Sequence, residues 1–299
     1  MKDLHPQVSI GRLCELFDKS RQAFHQRQRV IYEQAVEEHF IVSQVQRIRE
    51  SQPRLGGRKL LVKLEQVGVQ IGRDALFTVL RNNGLLVRRR RNGMRTTNSS
   101  HWLRKYPNRI RHFEPMRPNQ LWVSDITYLE TTEGYLYLFL ITDAYSKKIV
   151  GYEIADNLDA DSAVKALKMA LRSMKVDCSG LIHHSDRGVQ YCSGKYVKLL
   201  NKRNIVISMT QNGDPLENAI AERVNGILKD EWLYDLGKID KFSMRKIIPR
   251  IIHIYNEERP HLSLDMLTPN VAHQMSERLK KRWKNYYRSA RSEEIFPIN

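Results

Sequence analysis

Cysteine is scarce. The 299 residues hold three, Cys14, Cys178 and Cys192, far apart and with no CxxC pair. That excludes a disulfide framework and a cysteine-based zinc site. No apolar run reaches the ~18 residues of a membrane-spanning helix. The opening Met1-Lys2-Asp3-Leu4-His5 has no apolar core of the kind a secretion signal needs. The expectation is a reduced, cytoplasmic protein without a membrane partner. Acidic residues are also in short supply: 33 Asp and Glu stand against 50 Lys and Arg, a net charge of +17. An acidic or disordered chain is thereby excluded, and the 41% hydrophobic content is that of a globular protein.

The distribution of charge says more than its size. Residues 1–120 carry 24 Lys and Arg against 10 Asp and Glu, whereas residues 121–240 carry 14 against 17. The flanks are basic and the middle is slightly acidic. Basic surface attracts phosphate backbones and releases their counterions. A carboxylate-bearing centre suits hard divalent cations. A chance bias on a solvated surface is the bland alternative, and the layout favours nucleic acid.

Along the chain, residues 7–30 read as a helix-turn-helix. Ser9 is placed to cap one helix and Ser20 the next. The second opens Arg21-Gln22-Ala23-Phe24, and Arg21 and Gln22 are long polar donors suited to a major groove. Residues 1–40 form the first expected domain and 41–92 a second helical DNA-binding domain. The second places Arg73 just after Gly72, as another candidate DNA contact. Arg88, Arg89, Arg90 and Arg91 cannot all share a buried face, so they read as a phosphate clamp, a solvated linker, or both. Residues 93–119 are rich in Asn, Ser, Arg and Pro and read as a linker.

At Gln120 the periodicity becomes strand-like. Leu121–Glu130, Tyr135–Thr142 and Ile149–Ala155 read as three antiparallel strands, followed by a helix opened by Asp159 or Asp161. A strand at 181–184, a helix at 195–203, a strand at 205–209 and a helix from Pro215 to about Trp232 complete the order βββαβαβα. This is an α/β fold with a mixed five-stranded sheet and flanking helices. Its expected bounds are 120–236. Residues 237–299 form a helical, basic C-terminal extension, with Pro249 breaking or kinking a helix. In its tail, aromatics such as Trp283 and Tyr286 alternate with basic residues.

Three acidic residues stand out by position. Asp125 lies inside an apolar strand, where a lone charge is costly. Asp186 lies just past a strand end, a common ligand position in sheets with helical crossovers. Glu222 lies inside the helix after Asn218. If the first and fourth strands are neighbours, Asp125 and Asp186 lie side by side, and a helix packed across them can present Glu222. Three converging carboxylates are a hard oxygen site for Mg²⁺ or Mn²⁺. Two cations about 3.5–4 Å apart would explain the number of carboxylates, one activating the attacking water or 3′-hydroxyl and one stabilising the leaving oxygen.

The 35 residues between Asp186 and Glu222, with Lys229 seven positions after Glu222, resemble the D-35-E signature of retroviral integrases and bacterial insertion-sequence transposases. The strings Trp122–Thr127, His184–Gly188, Glu217-Asn218-Ala219 and Leu228-Lys229-Asp230-Glu231 resemble the OrfB product of the insertion-sequence-three family. So do Arg259-Pro260-His261 and Thr268-Pro269. The resemblance covers nearly the whole chain. It departs at Glu217, where the family more often has Asp, and at Arg223, where Ser is common. The zinc-binding domain of retroviral integrases has no counterpart here. The resemblance implies an RNase H-like core with Asp125, Asp186 and Glu222 as catalytic metal ligands and Lys229 beside the DNA end. It implies cleavage and strand transfer on double-stranded DNA, at element terminal repeats and target, by a homo-oligomer in a bacterial, nucleoid-associated setting. It also implies an OrfA partner joined as a frameshift fusion.

Rival readings remain for single residues and for the whole. Glu217 is the competing third carboxylate. Asp143 fits a turn cap better than a metal ligand. His183 and His184 face opposite sides of a strand, so at most one can face the site. Arg250 to Tyr255 only faintly resembles a tyrosine recombinase. As a whole, the chain could instead be a non-catalytic DNA-binding regulator or an RNA nuclease of the RNase H kind.

Overall fold

The computed structural model describes residues 6–88, 102–111, 113–174, 178, 180–211 and 218–276. Arg89, Arg90, Arg91, Glu217 and the basic tail with Trp283 and Tyr286 lie outside the described residues. Two units form by density of contact. One comprises residues up to Ser51 together with Gly56–Val87; the other comprises Gln52–Leu55 together with the chain from Arg88 onward.

The first unit is helical. Ser9 accepts from the Arg12 amide (3.2 Å) and starts α1, Ile10–Leu16. Ser20 accepts from the Ala23 amide (3.0 Å) and starts α2, Arg21–Ser51. The expected division at residue 40 falls inside α2. Residues 36–45 contain neither Gly nor Pro, so nothing there interrupts helical hydrogen bonding. Helices α3 (Gly57–Gln66) and α4 (Arg73–Asn82) close the unit. Its core is Ile41 and Val45 of α2 with Leu60, Leu64, Leu76 and Leu80.

The second unit is built on a five-stranded sheet of order β3-β2-β1-β4-β5. Strands β1 (Leu121–Thr131), β2 (Gly134–Asp143) and β3 (Ile149–Ala155) form the antiparallel meander the periodicity predicts. The short strands β4 (Ile182–Ser185) and β5 (Val206–Met209) add in parallel on the other side of β1. The crossovers use α5 (Ala160–Ser173), the single turn α6 (Val189–Cys192) and α7 (Gly194–Lys202). Asp159, not Asp161, caps α5, accepting from the Ser162 amide at 2.7 Å.

Each face of the sheet has its own core. On one, Trp122, Phe139 and Ile141 pack with Leu167, Tyr196 and Leu200 of α5 and α7. On the other, Leu136, Leu138 and Leu140 pack with α8 (Ala219–Leu228) and α10 (Lys241–Glu257). The expected boundary at 236 therefore divides a single core, because Ile248, Ile251, Ile252 and Tyr255 of α10 are buried on this second face. Pro249 lies within α10 without breaking it. A helix-interior proline costs about 3 kcal/mol, while each fully buried aliphatic side chain returns about 1.5–3 kcal/mol. Several such residues flank Pro249, so packing wins. After Thr268, α11 (Pro269–His273) closes the described chain.

The helix expected to run on to Trp232 changes pitch. From Lys229 to Leu233 it is π-helical, before the short α9, Tyr234–Leu236. Within this turn the Glu231 carboxylate receives two hydrogen bonds from Arg259, at 2.7 and 2.6 Å. Trp232 enters the apolar core. Arg259 is 2% exposed. Removing one partner of a buried, bidentate pair leaves the other charge stranded, at about 3–5 kcal/mol. Arg259→Leu is accordingly expected to lower unfolding free energy by about 3–5 kcal/mol, with much of the loss recovered in the double variant carrying Glu231→Gln. Urea titration of the four proteins tests this; a single-variant loss below about 1 kcal/mol would count against the pair as an anchor.

Candidate active site

Parallel pairing of β1 with β4 puts Leu121 opposite Ile182, Val123 opposite His184 and Ser124 opposite Ser185. One step past the last pair stand Asp125 and Asp186. Alternation along each strand aims both at the face covered by α8. The sequence expectation of neighbouring aspartates rests on strand order alone, and the sheet has that order.

Helix α8 lies over this spot and is fixed to β1 by two asparagines. Asn218 donates through Nδ2 to the Ser124 carbonyl (3.0 Å), and Asn225 donates through Nδ2 to Asp125 Oδ2 (2.7 Å). Asn218, Glu222, Asn225 and Lys229 step by 4, 3 and 4, which keeps all four on one stripe of the helix. Glu222 thus sits between the two anchors, at the exposed first turn. Asn225 was not singled out from the sequence. The signal was available: an asparagine amid Val224, Ile227 and Leu228 is a poor helix former that needs a partner when buried.

The electrostatics follow. Asp125 is half-buried. Burial first, then the charges of Asp186 and Glu222, push its carboxyl up to about 7, while the Asn225 amide works the other way. The charges of Asp186 and Glu222 thus both reach Asp125. Lys229 is half-buried, its ammonium lowered by burial and raised again by Asp125. Asp186 Oδ1 accepts from the Gly188 amide at 3.0 Å, which orients it. Among the described residues, no three acidic, histidine or cysteine side chains stand close enough together to form a ready-made metal cage.

The remaining candidates separate. His183 is buried on the far face, its Nε2 2.7 Å from Ser124 Oγ and 2.8 Å from Tyr196 Oη, and burial pushes it down to about 3. It is a neutral packing residue. His184 Nδ1 lies 2.9 Å from Ser208 Oγ on the next strand. Asp143 is fully buried and caps a turn, accepting from the amides of Ser146 and Asn119 at 2.7 Å each. Arg21 and Gln22 are exposed on the first turn of α2. Arg73 is exposed and paired with Asp74 at 2.8 Å, a pair so solvated that a phosphate could replace it. Arg88 is exposed, and its carbonyl accepts from Arg54 Nη2 at 2.9 Å.

Comparison with known proteins identifies the family. An integrase core domain model matches residues 115–215, and a second integrase core domain model matches residues 203–269. A 31 kDa protein of insertion element IS600 from Shigella sonnei is 35% identical, over 86% of this chain and 96% of its own. The transposase InsF of insertion sequence IS3A from Escherichia coli K12 is 30% identical, over 88% of this chain and 93% of its own. The HTLV-2 integrase catalytic core aligns with a TM-score of 0.43 at 17% identity, over 54% of this chain and 99% of that one. With the two insertion-sequence relatives matched over nearly their full length, the chain belongs to the IS3 family of DDE transposases, whose work is DNA transposition and integration.

Proposed function

We propose that this chain cuts and joins DNA at insertion-sequence ends by metal-dependent phosphoryl transfer, with Asp125, Asp186 and Glu222 as the metal ligands. The observation that carries the reading is the register of β1 on β4, which sets Asp125 and Asp186 side by side beneath the helix bearing Glu222. The donor set is all oxygen, and burial together with the charges of Asp186 and Glu222 raises the Asp125 carboxyl, which fits Mg²⁺ or Mn²⁺. Bound there, two cations would supply the charge that activates a water or 3′-hydroxyl and stabilises the leaving oxygen.

The chain's own groups then have distinct tasks. Asn225 fixes the rotamer of Asp125, and the Gly188 amide fixes that of Asp186. The exposed first turn of α8 leaves Glu222 open to the DNA side. Lys229, two turns further along the same stripe, is placed to meet a phosphate of the DNA end. In the first unit, Arg21 and Gln22 are the proposed base-reading contacts, with Arg73 on the backbone. Arg88 to Arg91 form a sequence-independent clamp. The working particle is a homo-oligomer on paired ends, with an OrfA product as a fused partner.

Glu222→Gln is expected to abolish nicking and joining of labelled element-end DNA in Mg²⁺ or Mn²⁺ while leaving DNA binding intact. An active variant would remove Glu222 from the triad. A wild type silent even with OrfA supplied would favour the DNA-binding regulator.

A second expectation concerns stability without metal. The folded Asp125 carboxyl is raised to about 7, above its ordinary range, so the native state holds that proton more tightly than the unfolded chain. Its ionisation therefore opposes folding in full above about pH 7, and the penalty fades as pH falls toward 4. In chelator near pH 8, Asp125→Asn should be more stable than wild type by on the order of 2–4 kcal/mol, and the gap should narrow near pH 5. Equal stabilities near pH 8 would show that the carboxylate cluster carries no such penalty.

A further inference from the structure

Residues 102–111 were expected to be linker, yet the structure fastens them along the open edge of the sheet. The Met209 amide donates to the Pro107 carbonyl at 3.5 Å, and the Arg109 amide donates to Ser208 Oγ at 2.9 Å. Leu103 and Tyr106 pack against the core on one face of the sheet. Ile110 packs against Leu121, Val123 and Ala221 on the other. The outward positions are Arg104, Lys105, Arg109 and Arg111, all exposed. The segment contains no Asp or Glu, and among the described residues none of the four cations is in an ion pair.

Its placement relates directly to the carboxylates. Met209, which bonds to Pro107, is the register partner of Ser185, the residue before Asp186. The segment therefore crosses the sheet edge level with Asp186, about two strand spacings or roughly 10 Å away. At the other end, Ile110 packs against the cluster that includes Ala221, the neighbour of Glu222 in sequence. Covering the edge of β5 is itself useful, since an open strand edge invites wrong pairing. Edge cover needs backbone bonds and inward apolar groups, but it does not call for four outward cations.

We propose that residues 102–111 are a phosphate-binding strap, on which Arg104, Lys105, Arg109 and Arg111 hold the backbone of duplex DNA beside the carboxylates. This rests on the transposase reading for the identity of the polyanion. The physical need is clear. Residues 121–240, which supply all three carboxylates, carry a net negative charge and repel DNA. A positive edge close by offsets that repulsion where the scissile phosphate must approach. Phosphate contacts carry no sequence information, so the strap serves element ends and other duplexes alike.

The test compares full-length wild type with R104Q/K105Q/R109Q/R111Q. Binding to fluorescent duplexes of about 30 base pairs, one with element-end sequence and one random, is measured in chelator across a salt series. Each lost phosphate contact flattens the log–log salt slope by about 0.9, so a reduction of about 2–4 is expected on both duplexes. A wild-type slope overturns the strap. A melting temperature matching wild type establishes that the variant is folded. If it is not, Arg109→Cys in the otherwise native chain is offered DNA carrying a thiol tethered to its phosphates; disulfide capture supports the strap and its absence overturns it. Glu222→Gln, run in parallel, should keep the wild-type slope and lose nicking. Failure of the catalytic reading would thus appear in the nicking assay alone, and failure of the strap in the slope alone.

Discussion

The parallel pairing of β1 with β4 is the constraint on which the rest of this structure depends. Asp125 and Asp186 are far apart in sequence, and only the register that sets Ser124 opposite Ser185 brings them together. A slip of one residue would turn one of them to the opposite face of the sheet, where the core is apolar. Side chains on both faces tie β4 to its two neighbours. His183 ties β4 to Ser124 of β1 on one side, while His184 reaches Ser208 of β5 on the other. These two histidines, attractive as catalytic candidates from their position beside Asp186, instead hold the strands that hold the carboxylates.

The electrostatic cost of that arrangement explains the polar contacts around it. Gathering carboxylates at a half-buried site is unfavourable, as the raised Asp125 carboxyl shows. Apolar packing alone could dock α8, but it would not fix the helix's rotation over the strand end. Asn218 and Asn225 do so by hydrogen bonding to β1, two turns apart on the stripe that also carries Glu222. Beyond them the helix widens into a π turn, and Arg259 clamps Glu231 there. Such turns recur near functional sites. Here it lets the helix present Lys229 toward Asp125 and, within a few residues, commit Glu231 and Trp232 to the interior.

Much of this was legible in the sequence, for identifiable reasons. The meander showed because its strands are long and rich in β-branched and aromatic residues. The aspartates showed because a charge inside an apolar strand and a charge just past a strand end are both anomalous. Ser9 and Ser20 declared their helices because capping is a local interaction. What stayed hidden depends on tertiary structure. Pro249 read as a break or a kink, yet the flanking isoleucines carry α10 through it unbroken. The end of the core at 236 read as a boundary because hydrophobic periodicity does not say which sheet face a later helix will cover. Residues 102–111 read as linker because their proline and basic content is that of a linker, and only the exposed edge of β5 gives them a fixed place.

That last case shows how charge and fold are divided in this chain. The segment that bears the carboxylates is slightly acidic, as suits the proposed site for divalent cations, and is by itself a poor surface for DNA. Adding cations among the carboxylates would neutralise the proposed metal site. Lys229 interacts with Asp125, and burial lowers its ammonium from the usual lysine range. Positive charge therefore has to stand nearby without entering the site. An edge strand offers such a place, since a segment laid across it can turn its apolar residues inward and its basic residues outward. The distance of about two strands is short enough for the strap and the carboxylates to meet the same duplex, and long enough to keep the arginines from pairing with those carboxylates.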